Sequence, residues 1–101
     1  MSNPSKRKGY SFEVELVEEA QAAGLTAIRA WGSNGRSIGQ PSDVDLIVES
    51  APIQAKRRAK LPSYLGIPAS CAAVVFRQDR GESLALVRYK DLLEWLKLMK
   101  T

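Results

Sequence analysis

Residues 42–60 read SDVDLIVESAPIQAKRRAK. Two short apolar runs carry Asp43, Asp45 and Glu49 before a turn, then Gln54 and Lys56 after it. A two-residue turn at Ser50 and Ala51 sets Glu49 opposite Pro52, Ile47 opposite Gln54 and Asp45 opposite Lys56. Side chains alternate faces along a strand, and opposed residues share a face. Asp45, Gln54 and Lys56 are therefore expected on one side of a hairpin with strands near 44–49 and 52–56. A four-residue turn keeps that register, and a three-residue turn breaks it. The plain reading is a cross-strand ion pair on a wet sheet face.

The hairpin leads into KRRAK, four positive charges in five residues. Alone this is a solvated basic loop. Beside carboxylates, an amide and an amine on one face, it suggests a metal-dependent hydrolase acting on phosphodiesters, with a divalent cation between two acids. The second acid lies upstream. A helix is expected from about Phe12 to Ala23, with Ser11 as its N-cap and Gly24 closing it. At about 100° per residue, Phe12, Leu16, Val17, Ala20 and Ala23 form one apolar arc, and Glu13 falls inside it. Glu15, Glu18 and Glu19 fall outside, where a solvated face belongs. A carboxylate on a core-facing stripe is costly unless a cation or hydrogen bonds compensate it. At a helix start, Glu13 would instead cap or reach water.

LTAIRA, 25–30, reads as a strand, and WGSNGRSIGQPS, 31–42, with three of the seven glycines, as a loop. Pro62 and Pro68 restrict any helix between them to a turn or two near Ser63–Leu65. Strands at 71–77 and 83–88 flank the turn QDRGE, and 90–100 is a helix. The order α-β-β-β-β-β-α, without repeat or boundary, makes one α/β or α+β domain over 1–101 with a mostly mixed sheet. Residues 1–8 form a basic arm ending in Lys6, Arg7 and Lys8, either a solubilising tail or a phosphate grip.

Composition narrows the chemistry. The net charge is +4, which favours an anionic partner. No histidine is present, which disfavours a zinc site or a Ser-His-Asp triad. Cys71 is the single cysteine, so no intrachain disulfide forms; its apolar run SCAAVVF suggests a buried, inert thiol. MSNPSKRKGY lacks a signal-peptide core and no apolar run is long enough to span a bilayer, so a cytoplasmic protein is expected.

The opening KRKGYSFEVELVEEAQAAGLTAIRAWGS resembles that of the archaeal-type Holliday-junction resolvases (the Hjc family) of the PD-(D/E)XK nuclease superfamily. The shared pattern runs from Arg7-Lys8-Gly9 to Glu13, then through a strand ending in Arg29 to Gly32-Ser33. Val44-Asp45-Leu46 matches the family's metal-binding aspartate, and Gln54-Ala55-Lys56 falls where the superfamily places (D/E)XK. The ordered similarity covers roughly residues 6–56.

The resemblance implies a restriction-endonuclease-like core with a central mixed five-stranded sheet flanked by helices. It implies that Glu13, Asp45, Gln54 and the Ala55 carbonyl hold Mg²⁺ or Mn²⁺. Lys56 would orient the attacking water, and Ser33 would stand near the scissile phosphate, unless it is an ordinary loop serine. Lys6, Arg7, Lys8, Arg29, Arg36, Arg57, Arg58 and Lys60 would contact DNA. A homodimer nicking opposed strands of a four-way junction is implied, in DNA recombination and repair, with no membrane and no organic cofactor. The terminal helix fits a dimer: Leu92, Leu93, Trp95, Leu96, Leu98 and Met99 leave only a narrow lysine sector. A scrambled terminal helix with one exposed tryptophan is the plainer account.

Two departures stand out. Gln54 replaces the usual glutamate, removing one negative charge, and the segment after Lys56 is short and proline-interrupted. The small size and shortened middle suit a virus-encoded version. The rival readings are a nuclease for other branched or duplex DNA, and a DNA-binding module whose catalysis is impaired.

Overall fold

The computed structural model describes residues 4–30 and 35–100, the first six of these (4–9) by backbone alone. The chain divides into two compact units, Met1–Arg57 and Arg58–Thr101. The class is mixed α and β, as expected, but the five strands form two separate antiparallel sheets of three and two strands. A single mixed five-stranded sheet is not what the described residues form.

The first unit opens with helix α1, Pro4–Ala22. It starts well before the expected Phe12, so residues 4–8 of the expected basic arm are helical, and Ser11 lies inside the helix rather than at its cap. Proline suits a first helical turn, where its missing N–H has no intrahelical role. The helix ends as expected at Gly24, whose φ is +87°. The Leu25 amide donates to the Ala20 carbonyl and the Gly24 amide to that of Gln21, both at 3.0 Å. This pair of bonds is a Schellman closure, which needs the left-handed residue that glycine supplies. Leu16, Ala20 and Leu25 are buried on the side where the helix meets the sheet.

The sheet is a meander of β1 (Ala27–Arg29), β2 (Leu46–Val48) and β3 (Ala51–Ile53), with β2 central. α1 packs against β1 and β2, and Leu46 and Val48 are fully buried. The hairpin register differs from the expected one. Val48 pairs with Ala51, Ile47 with Pro52 and Leu46 with Ile53, so the turn residues are Glu49 and Ser50. Glu49 takes φ 55°, the positive φ at the first central position that a type II′ turn uses. A glutamate tolerates this because it is held. Its carboxylate accepts from the Thr26 amide at 2.6 Å and the Thr26 hydroxyl at 2.9 Å, while its own amide donates to the Thr26 carbonyl at 2.8 Å. These bonds tie the entrance of β1 to the hairpin tip and move the turn one residue upstream. Pro52 faces Ile47 where bonded and non-bonded pairs alternate away from a two-residue turn, at a non-hydrogen-bonded position.

The second unit contains a 3-10 turn at Ser63–Leu65, the hairpin β4 (Ala73–Phe76) and β5 (Leu84–Val87), and helix α2 (Tyr89–Met99). Tyr64 meets Phe76 edge-on, with ring centroids 6.5 Å apart. The Arg88 guanidinium donates to the carbonyls of Pro68 and Cys71, bracing the turn before β4. Cys71 stands in that turn rather than in the strand and is exposed, which corrects the expected buried thiol. In α2, Leu93 is buried while Trp95, Leu98 and Met99 are exposed, the last two by more than three quarters. Among the described residues, no helix is long and apolar enough to cross a membrane.

The Thr26–Glu49 tie generates a stability expectation. Glu49→Ala removes the carboxylate acceptor yet keeps a side chain at positive φ, and should cost about 1–2 kcal/mol. Glu49→Gly also loses the acceptor but relieves the backbone, so it should cost about 1 kcal/mol less than alanine. Urea unfolding of the three chains checks the order wild type, glycine, alanine.

Candidate functional site

Glu13 is 4% exposed, in the third turn of α1 and on the face that carries Leu16 and Ala20. The helical wheel placed it correctly. The early helix start removes the alternative in which Glu13 caps an end or reaches water. Its charge is compensated: Glu13 Oε1 accepts from Arg29 Nη1 at 3.1 Å. Arg29 closes β1, so α1 and β1 are joined by an ion pair beneath a mostly buried surface.

Asp45 is 8% exposed and precedes β2. Its carbonyl accepts from the Ala30 amide at 2.8 Å and its amide donates to the Ile53 carbonyl at 2.9 Å. Asp45 therefore bridges the continuations of β1 and β3. Beyond Ile53 regular pairing stops, and the Ala55 amide donates to Asp45 Oδ2 at 2.7 Å. A carboxylate oxygen has taken the place of the backbone acceptor that the ladder no longer offers. This bond brings Asp45 to the centre of the tripeptide Gln54-Ala55-Lys56. The expected meeting was of the Asp45, Gln54 and Lys56 side chains; the bond observed is instead to the backbone amide between them. Asp45 does not oppose Lys56: the shifted register lines position 45 up with Gln54, β3 ends before either polar residue, and Gln54 and Lys56 are exposed.

The loop into Asp45 is tightly folded. A 3-10 turn at Gly35–Ile38 is followed by bonds from Gln40 N to Gly35 O at 2.8 Å and from Val44 N to Pro41 O at 3.1 Å. Gly35 is buried, and a β-carbon there would collide with the Pro41 carbonyl oxygen and press on Val44 Cβ at 3.0 Å.

The expected DNA contacts distribute unevenly. Arg36, Arg57, Arg58 and Lys60 are exposed, with Arg57 in the first unit and Arg58 and Lys60 in the second. Arg29 is instead largely enclosed by Glu13, the Ala30 carbonyl and the Tyr10 ring. Lys6, Arg7 and Lys8 lie in α1 with side chains outside the described residues, and Ser33 lies outside them altogether. Tyr10 and Glu49 were missed by sequence reasoning. Tyr10 carried a usable signal, because it stands three residues before Glu13 and so on the same helix face.

The donor set suits a hard divalent cation in kind: two mostly buried carboxylates, with an amide oxygen and a backbone carbonyl on the adjoining tripeptide. Among the described residues, no three His, Cys, Asp or Glu side chains group as a metal cluster, and the expected set contains only two such residues. No protein-family model, curated protein or solved structure matches the chain.

The packing at Gly35 sets an expectation for the loop. Gly35→Ala forces a backbone carbonyl to move, so the bonds at Gln40 and Val44 should loosen and Asp45 lose its fixed approach. Amide exchange over residues 36–45 should speed by tenfold or more, corresponding to about 1.4 kcal/mol or above of local stability. Unchanged protection there would show that the loop accommodates the added methyl.

Proposed function

We propose that this chain is a metal-dependent endodeoxyribonuclease that nicks four-way DNA junctions, the activity implied by its resemblance to archaeal-type Holliday-junction resolvases. The observation that carries the reading is the Asp45 carboxylate on the Ala55 amide, which joins the two halves of the expected motif. The mostly buried Glu13 adds a second hard oxygen donor from the helix packed on the same meander. In this reading α1 and β1–β3 are the opening half of a restriction-endonuclease-like core.

Glu13, Asp45, Gln54 and the Ala55 carbonyl would hold Mg²⁺ or Mn²⁺. A divalent ion bound there would supply Lewis-acid polarisation of the phosphodiester and make a bound water more acidic. The protein's own part is positional. The Ala55 amide fixes one oxygen of Asp45, and Arg29 fixes one oxygen of Glu13. Lys56 orients the attacking water and stabilises the negative charge on the oxygens of the phosphorane-like transition state. Arg36, Arg57, Arg58 and Lys60, with Lys6, Arg7 and Lys8, supply phosphate contacts that position DNA without reading its sequence.

Labelled four-way junction and matched linear duplex, each with Mg²⁺, Mn²⁺ or EDTA, test the activity and separate it from a nuclease for other duplex or from a binding module. Asp45→Asn and Glu13→Gln keep an oxygen that can accept from Ala55 and Arg29, so they should fold, bind junction and lose cleavage by about a hundredfold or more. Lys56→Ala should behave likewise. Gln54→Glu should reach half-maximal nicking at lower metal concentration, and Gln54→Ala should cut far more slowly. Cleavage by Asp45→Asn at the wild-type rate would sink the site.

A homodimer completes the proposal, since a two-fold enzyme suits a two-fold junction. The exposed Trp95, Leu98 and Met99 of α2 provide an apolar surface for it. Sedimentation of the full chain should report a dimer, and Leu98→Glu should shift it toward monomer; a wild-type monomer at all concentrations would remove dimerisation from the reading.

A further inference from the structure

Arg29 belongs to the chemistry differently from the other cations. Its side chain is 19% exposed, against a Glu13 side chain at 5%. Nη1 donates to Glu13 Oε1 at 3.1 Å and to the Ala30 carbonyl at 2.9 Å. The guanidinium carbon lies 4.4 Å from the centroid of the Tyr10 ring. Tyr10 and Glu13 stand one turn apart on α1, so a single helix face presents both an aromatic surface and a carboxylate to one guanidinium from β1.

The geometry restricts the guanidinium in two independent ways. Hydrogen bonds along its edge fix it in plane, and the ring covers one of its faces. Two of its five N–H donors, both on Nη1, are turned to the protein's own oxygens, and one ring face is covered, so less of this arginine is left for a phosphate than of an exposed one. It is well suited to another task. A mostly buried carboxylate must keep its charge and orientation to serve as a ligand, and a cation held at fixed distance supplies both conditions. The long, flexible arginine stem does not hold that position unaided. The ring on α1 does, by cation–π attraction.

We propose that Arg29 is a positioning residue for the Glu13 carboxylate and that Tyr10 acts through Arg29 by holding its guanidinium. The inference rests on the nuclease reading as far as the metal is concerned, while the clamp itself is a property of α1 and β1. It assigns a role to the ring of Tyr10 and none to its hydroxyl, and it gives Arg29 a task within the protein beside any contact to phosphate. Tyr10 is 55% exposed, so exchanging it for leucine opens no cavity in the core.

The test uses the full chain in four forms: wild type, Tyr10→Phe, Tyr10→Leu and Arg29→Lys. Nitrogen-detected guanidinium spectra, with the Arg29 signals assigned by their loss in Arg29→Lys, read the clamp without any metal or DNA. Separate, slowly exchanging Nη signals are expected for wild type and Tyr10→Phe, and a merged signal for Tyr10→Leu. Mn²⁺ binding followed by electron paramagnetic resonance, and Mg²⁺ dependence of junction nicking, read the consequence. Tyr10→Leu should need about two- to fivefold more metal for half-saturation, the equivalent of an exposed cation–π contact. Its maximal rate should stay near wild type and its melting temperature should fall by only a few degrees; a merely structural role would lower the melting temperature without raising the metal requirement. Tyr10→Phe should match wild type in every readout. Separate Arg29 signals in Tyr10→Leu, or a Tyr10→Phe as loose as leucine, would overturn the clamp. A wild-type chain that takes up no Mn²⁺ and nicks no junction would overturn the nuclease reading, while the Arg29 spectra still decide the clamp.

Discussion

Asp45 is held through three different atoms, and the arrangement of the first unit depends on that. Its carbonyl meets the chain leaving β1, its amide meets the end of β3, and its carboxylate meets the amide two residues beyond. A backbone amide that leaves a ladder must find another acceptor or water. By providing one from a side chain, Asp45 ends the sheet and carries Gln54, Ala55 and Lys56 past it in a defined path. The same residue is thus both the terminus of a secondary structure and the best candidate for a metal ligand.

Glu13 follows a related logic on the helix. A carboxylate among Leu16 and Ala20 is tolerated because Arg29 reaches it from the neighbouring strand. Two mostly buried acids on adjoining elements, each with one oxygen already engaged, are costly to keep in a small domain. That cost is the physical argument for function here, since packing alone would be served as well by apolar residues of similar volume.

Much of this was legible in the residues. The wheel position of Glu13, the Gly24 closure of α1, the three strands of the meander and the turn between β4 and β5 all rest on short-range patterns, which sequence displays directly. The hairpin register was not legible, because the deciding bonds join Glu49 to Thr26, far upstream in the chain. The start of α1 was misjudged because Ser11 is an attractive cap, while Pro4 is an equally good first residue. The division of the strands into two sheets depends on pairing between distant segments, which element order does not determine. The enclosure of Arg29 depends on where β1 lies against α1, so its type alone suggested a surface cation.

Pro52 bears on how copies of the chain can meet. In a three-residue outer strand, Ala51 and Ile53 direct their amides toward β2, and the middle residue alone faces outward. That residue is proline, which has no amide hydrogen. The outer margin of β3 consequently offers no backbone donor within Ala51–Ile53. Sheet extension from one molecule to the next is disfavoured there, a guard against fibrous stacking built from a single residue. Any association along that margin has only carbonyl acceptors and side chains to use.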